Sequence, residues 1–580
     1  MRRRLSILAV VGLASVALAG VARAQERELW PGVSFRQTIQ PTPNGPVVVD
    51  VLTGPRPGGT TTLEPLLSND TLTGRETLTK IEQRLSASAT YAGINGDLFN
   101  LHTGLPSGAL IREGRILSLP SNGRSTAAIM SDGTLDVRRV IATGAWTGTG
   151  VAHPFVLNRI PDANGTALFT SAWGASTPTV SGSVAVVLFP FGGATPGIDQ
   201  LAAVQSVVAG AASVAIPPDG AVLLASGTGA AQLQAEAVVG ATLKTRVDLQ
   251  PAWPGVVSAI GGGPQIVRNG AVVFRAGEQF TTSQLGERAP RSAVGQLKDG
   301  GIILVAVDGR QPGWSVGMTN YELAQTLVRL GAVTAMALDG GGSTEMAFDG
   351  TLLNRPSAGV ERPISTALAF TYTGAFVRAL LPVVSPNGDG VDDVEPLSYK
   401  LVKAAAVTVT LTAPDGSTPV SQTLDQQPGT YPVPFPPTAG TSPAEGVWKL
   451  AVAATDELGE QTGMMQRFTV DDTLGFLQTS LPRLFLPPGG HDLTISWKLT
   501  RQARVVVTVE TKAGEVVRTL ARRRYDTGAQ SVVWNGLDRA KKRVKGGVYR
   551  AHVVATSALG TVELVRTFAV RQIAGQRPGS

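Results

Sequence analysis

AMALDGGGSTEMAFDG, residues 335–350, is the stretch on which the reading of this chain turns. Its first four residues are apolar and suit a short buried strand. The strand ends on Asp339, and Gly340, Gly341, Gly342, Ser343, Thr344 and Glu345 follow. Consecutive glycines let backbone amides converge on an anion and let a ligand approach the main chain. A carboxylate, a hydroxyl and a second carboxylate flank those amides within seven residues, a combination suited to an anionic, oxygen-rich substrate. The alternative is a plain glycine-rich turn between strands.

The flanking sequence supports a site. Residues 302–307 form another apolar run, ending on Asp308-Gly309-Arg310-Gln311. Thr319 then caps a helix over 320–330, with Leu323, Leu327 and Leu330 on one face and Gly331 as its stop. If the two apolar runs are parallel neighbours, Asp308 and Asp339 stand at one sheet edge, where α/β units place ligands. Further upstream, helical spacing over 77–87 precedes a small-residue strand that runs into Asn95-Gly96-Asp97-Leu98-Phe99, with His102 five residues after Asp97. Residues 47–52 read as a strand, 127–183 as short strands between turns, and the Ala/Val/Gly-rich sequence from Val184 onward gives no pattern.

Five segments, in order, resemble the phosphodiester glycosidase family: INGDLFN from Ile94, APRSAVG from Ala289, VDGRQPGWSVGMTNYELAQTLVRLGA from Val307, ALDGGGSTEM from Ala337 and ERPISTALAF from Glu361. The animal member of that family removes N-acetylglucosamine from a phosphodiester. The resemblance covers about residues 90–372 and implies hydrolysis of a sugar joined through its anomeric oxygen to phosphate. One departure is Asp97, where the family commonly has glycine. An oxocarbenium-like transition state calls for carboxylates, and phosphate oxygens call for guanidinium or amide donors. Asp339, Asp308, Asp97 and Glu345 are the catalytic candidates, the first two as reacting or site-ordering groups. Arg291 and Arg310 are candidates for phosphate. Gly340, Gly341, Gly342 and Ser343 are candidates for an anion cradle, and Asn95 for sugar hydroxyls, a role also open to Asp97 and Glu345. Arg362 reads as an ion-pair partner of Glu361, and His102 as a loop residue or a proton carrier.

After Phe370 the composition changes. Asn387, Asp389, Asp392 and Asp393 crowd one turn, a candidate for structural Ca²⁺ or an Asx-rich linker. The tail repeats itself: GVWKLAVAATDELG from Gly446 matches GVYRAHVVATSALG from Gly547, and Tyr399-Lys400-Leu401 matches Trp497-Lys498-Leu499, at offsets of 101 and 98 residues. Units near 100 residues built of short alternating strands are β-sandwiches by size and pattern. They resemble bacterial immunoglobulin-like modules, the second that of flagellar hook-capping proteins, with Trp448 and Tyr549 as core residues.

The expected architecture is an α+β, mixed-sheet catalytic domain over 25–375, followed by all-β sandwiches over 382–472 and 473–572. Residues 1–24 open with three consecutive arginines, continue with an apolar run and close on Ala22-Arg23-Ala24, the pattern of a cleavable export signal. The chain has no cysteine, which excludes thiolate metal sites and cysteine nucleophiles, and its four histidines are His102, His153, His491 and His552. The formal charge is +7, yet residues 473–580 hold 18 Lys/Arg against 6 Asp/Glu. That basic tail suits an anionic surface polymer better than nucleic acid. The expected function is a secreted or envelope hydrolase of a sugar-1-phosphodiester, with no cofactor beyond the candidate Ca²⁺. The alternative is a non-catalytic glycan-binding surface protein.

Overall fold

The computed structural model describes residues 26–120, 123–210, 213–273, 277–486 and 492–572; the expected export signal and His491 lie outside them. The chain is multidomain and mostly β. Where the sequence suggested an α+β body with a mixed sheet, the described helices are few and none exceeds ten residues. The central sheet has eight strands. From one edge these are Glu26–Trp30, Val33–Thr42, Gly45–Gly54, Ile302–Val307, Arg291–Leu297, Ala332–Ala337, Gln265–Arg268 and Ala271–Val272. Every registered pair in it is antiparallel. The strands that deliver Asp308 and Asp339 do run parallel, but they are not neighbours, because Arg291–Leu297 lies between them and pairs antiparallel with both. Both acids still leave the sheet at one edge, and that edge is where Arg291 enters it.

The helix Asn320–Arg329 joins the two acid-bearing strands. Thr319 and Glu322 form the reciprocal capping box that their three-residue spacing allows, and Gly331, at φ +95°, ends the helix region. Its Leu323, Ala324 and Leu327 pack onto Val49, Ile303 and Val305 of the sheet. The opposite face of the sheet buries Leu52, Leu304 and Met336 against a second, five-stranded antiparallel sheet carrying Ile94, Leu368 and Phe370. That sheet is ordered Thr351–Leu352, Met346–Phe348, Thr90–Asn95, Thr366–Tyr372, Thr61–Leu67. The helix Leu78–Leu85 covers its far side with Leu78 and Ile81. The two sheets meet where their strands end: Asp339 N–H donates to Gly96 O at 3.0 Å. This junction positions the site.

The patternless stretch from Val184 is part of a closed seven-stranded barrel spanning Ile141–Thr147 to Thr242–Gln250. Strands such as Val184–Leu188 and Ala221–Ala225 are buried at every residue, so no polar alternation marks them. The barrel shares a core with a further five-stranded sheet through Ile111, Ala128 and Ala259.

The tail holds two units of one topology, each a three-stranded sheet facing a five-stranded one. The matched segments occupy equivalent strands, Gly446–Asp456 and Gly547–Thr556. Trp448 and Tyr549 are buried in their cores. The units are joined through the 385–393 turn. Asp389 Oδ2 accepts from Phe476 N–H at 2.6 Å, and a side chain at Gly475 would collide with Asn387.

Candidate active site

The strand Thr90–Asn95 delivers Asp97 to the junction, and Ala332–Ala337 delivers Asp339. Asp97 is buried. Its N–H donates to Thr366 Oγ1 at 3.1 Å, and its Oδ2 accepts from Gly108 N–H at 2.6 Å. Gly108 and Gly261 press against this carboxylate; a Cβ at either would lie 2.8 or 2.6 Å from Oδ2. The other oxygen, Oδ1, is buried without a partner. Burial pushes the Asp97 carboxyl up to about 7, and the neighbouring Asp339 charge adds to the rise. Asp339 is half-buried, and burial raises it to about 6; the Ser343 hydroxyl, the Arg362 guanidinium, the Gly340 amide and Arg124 work against that rise. Two coupled carboxyl groups near neutrality form a pair able to hold one proton and one negative charge.

Two residues expected to contact ligand, and Asp308, expected as a reacting or site-ordering group, are held in structural hydrogen bonds. Asn95, a candidate for sugar hydroxyls, is fully buried. It donates to Asp339 O at 2.6 Å and accepts from Ser292 Oγ and Glu345 N–H at 2.6 and 3.2 Å. Arg291, a candidate for phosphate, donates to three main-chain carbonyls, those of Met318, Gln284 and Glu287. Its burial lowers it to about 10. Asp308 is buried and accepts from Trp314 Nε1, Asn354 Nδ2 and Arg355 N–H, while its carbonyl accepts from Ser315. This is the ordering role, because it fixes the 308–315 loop against residues 354–355.

The glycine loop also differs from an open amide cradle. Gly341 N–H donates to Pro290 O, Ser343 N–H to Gly340 O and Thr344 N–H to Gly341 O. The loop closes as a short 3₁₀ turn with those amides directed inward. Gly341 takes φ +65°, which favours glycine, and Arg310 approaches it from the solvent side. Above Gly342 lies Arg362, so close that a Cβ there would overlap the guanidinium. Arg362 reaches Ser343 Oγ at 3.4 Å, and its N–H donates to Glu345 Oε1. Its expected partner Glu361 instead binds Thr79 N–H and Oγ1 at 3.1 and 2.6 Å, at the start of the helix Leu78–Leu85. Glu345 is fully buried, with Oε2 unpartnered, and burial raises it to about 8.

Sequence reasoning gave Arg124 no role and read Arg362 only as an ion-pair partner, yet both act on Asp339. Arg124 stands on Phe280, its guanidinium 5.0 Å from the ring centre, and acts on both Asp97 and Asp339. A cleft of about 210 Å³ opens over Asp339, bordered by Phe280, Arg291, Arg310 and Gly340. His102 lies on an exposed turn, its own N–H donating to Asn100 Oδ1.

Among the described residues no group of three or more His, Asp or Glu side chains converges on a point where a metal would sit. In the 385–393 turn the oxygens expected for Ca²⁺ accept main-chain N–H groups instead: Asn387 from Asp389, Asp389 from Val391 and Phe476, and Asp393 from Gly388 and Gly390. Asp392 sits there at φ +52°.

A stretch of 98 residues is 36% identical to the SPbeta prophage-derived uncharacterized protein YomE of Bacillus subtilis (strain 168), covering 17% of this chain and 15% of that one. Another of 111 residues is 32% identical to the N-acetylglucosamine-1-phosphodiester alpha-N-acetylglucosaminidase of Bos taurus, covering 17% and 21%. The matched stretches thus span about a fifth or less of these curated relatives. The crystal structure of a hypothetical protein from Synechocystis superposes with a TM-score of 0.50 at 27% identity, over 61% of this chain and 64% of that one. Residues 488–558 match the FlgD Ig-like domain, and residues 199–371, which hold Asp308, the glycine loop, Glu345 and Arg362, match the phosphodiester glycosidase family.

Proposed function

We propose that the chain hydrolyses a sugar-1-phosphodiester, with the Asp97–Asp339 pair at the sheet junction as its working carboxyl groups. The observation that carries this reading is the juxtaposition of that pair with Arg124 and Arg362, beside a cleft that Asp339 and Arg310 line, with Asp339, Arg310 and Arg362 inside the segment that matches phosphodiester glycosidases. Asp339 is the carboxylate, ionised near neutral pH, that faces the developing positive charge at the anomeric carbon or activates the attacking water. Asp97, with the higher proton affinity, holds a proton while Asp339 is ionised. Arg310 and Arg362 flank the glycine loop on the solvent side and supply charge-assisted donors to the phosphate. Phosphate leaves readily as an anion, so the leaving oxygen needs charge neutralisation more than a strong general acid. Arg291, Asn95 and Asp308 keep the loops in place.

The test is hydrolysis of a soluble N-acetylglucosamine-α-1-phosphodiester by the protein and its Asp339→Asn variant, with and without EDTA. Turnover by the parent, lost by at least a thousandfold in the variant, supports the reading. Turnover by neither, from folded proteins, rejects it and favours a glycan-binding surface protein. A secreted or envelope location belongs to the same proposal and is tested by whether residues 1–24 are absent from protein recovered outside the cytoplasm.

A further inference from the structure

The two tail units share a topology but not a charge. Residues 382–472 hold 4 Lys/Arg and 12 Asp/Glu, a net −8, whereas residues 492–572 hold 16 and 6, a net +10. The fold therefore does not require the cations of the second unit, and their placement is specific. The strand Val516–Tyr525 is the edge of the five-stranded sheet. Arg524 pairs with Arg504 and Arg522 with Val506, on the face opposite the buried Val505, Val507 and Val509. Arg504, Arg522 and Arg524 are exposed, and none of them forms an ion pair among the described residues. At the other end of the strand, Arg518 Nη1 donates to Asp538 O at 3.0 Å. This ties down a loop whose Arg539, Lys541, Lys542, Arg543 and Lys545 are all exposed. Asp538, whose Oδ1 accepts from Lys542 N–H, is the one acid among these five cations and forms no ion pair with them among the described residues.

We propose that this arginine-lined edge, continued by the 539–545 loop, binds a linear phosphodiester-linked glycopolymer. Arg522 and Arg524 project from one face about 7 Å apart, and guanidinium groups match phosphate oxygens in pairs. Cations on an edge strand also deter strand-to-strand aggregation. However, the equivalent edge strand of the first unit, Val420–Gln426, carries no cation at all. The choice of a phosphodiester over other anions rests on the proposed activity; the surface itself does not.

The experiment measures binding of full-length protein to soluble poly(glycerol phosphate), against duplex DNA of matched charge and uncharged dextran. The expected result is salt-sensitive binding that weakens at least tenfold in R504S/R522S/R524S and also in K541E/K542E, so a folding defect in one variant leaves the other to carry the test. The slope of log affinity against log salt falls by roughly two to three in the triple variant. Asp339→Asn binds as the parent does, and the triple variant turns over the small soluble substrate at the parental rate. Absent binding, unchanged affinity in both variants, or equal affinity for DNA overturns the proposal. Binding without turnover overturns the activity alone.

Discussion

At the residue scale the site is a contrast between acids. Asp308 is held by several donors, whereas Asp97 has one donor and Asp339 a few local ones. Asp308→Ala is therefore expected to destabilise the protein by roughly 2–3 kcal/mol in urea unfolding, through lost hydrogen bonds to a charged group. Asp339→Asn is expected to remove activity while stability stays within about 1 kcal/mol. The pH profile follows from the pair. Activity rises as Asp339, near 6, loses its proton, and falls as Asp97, near 7, loses the proton it should hold. A narrow bell results, and Asp97→Asn should flatten its alkaline limb; an unaltered limb assigns that proton elsewhere. The position of Asp339 just past a strand end was legible, because a short apolar run that stops at an acid and three glycines reads as a strand meeting a turn. That Asn95 and Arg291 spend their donors on main-chain carbonyls was not legible, because residue type does not reveal which partners packing supplies. Arg124 stands in no motif and Arg362 only in a segment that names no role for it, and the fold brings both to the acids.

At the scale of elements, the helix Asn320–Arg329 was readable from its cap, its leucines and its terminal glycine. Thr319→Ala should cost about 1 kcal/mol, measured by thermal unfolding. The strand order was not readable. Two apolar strands joined by a helix suggest parallel neighbours, and nothing local announces that Arg291–Leu297 will insert between them. That arrangement makes the site depend on distant glycines. Gly261→Ala would place a Cβ 2.6 Å from the Asp97 carboxylate and 2.7 Å from Gly108 Cα. At least a tenfold fall in kcat/KM is the expected outcome, with the loss concentrated in kcat because the acid, not the cleft, is displaced.

At the scale of the whole molecule, burying carboxyl groups leaves a pH signature. Asp50 is fully buried, has one oxygen without a partner, and is raised to about 8 by that burial. Glu82 and Glu345 are raised for the same reason. Between about pH 4 and 8 the folded protein holds protons that the unfolded chain releases. Stability therefore falls as pH rises through that window and levels off above it. Asp50→Asn should stabilise the protein by roughly 1–3 kcal/mol at pH 8 and by nothing measurable at pH 4. Equal effects at both values would contradict the assignment.

The barrel's two ends also carry a consequence. Ile141, where its first strand begins, is the register partner of Gln250, where its last strand stops. The chain thus leaves the body and returns to it at one point, like a loop of rope held in a single hand. About 110 residues can be excised there and the cut closed by a short turn, without rerouting any strand of the sheets that hold the acids. The scar would be chemical instead of topological, since Ile111, Ala128 and Ala259 would lose their cover. A shortened protein that keeps its cleft but needs new polar residues at those three positions is what this architecture permits.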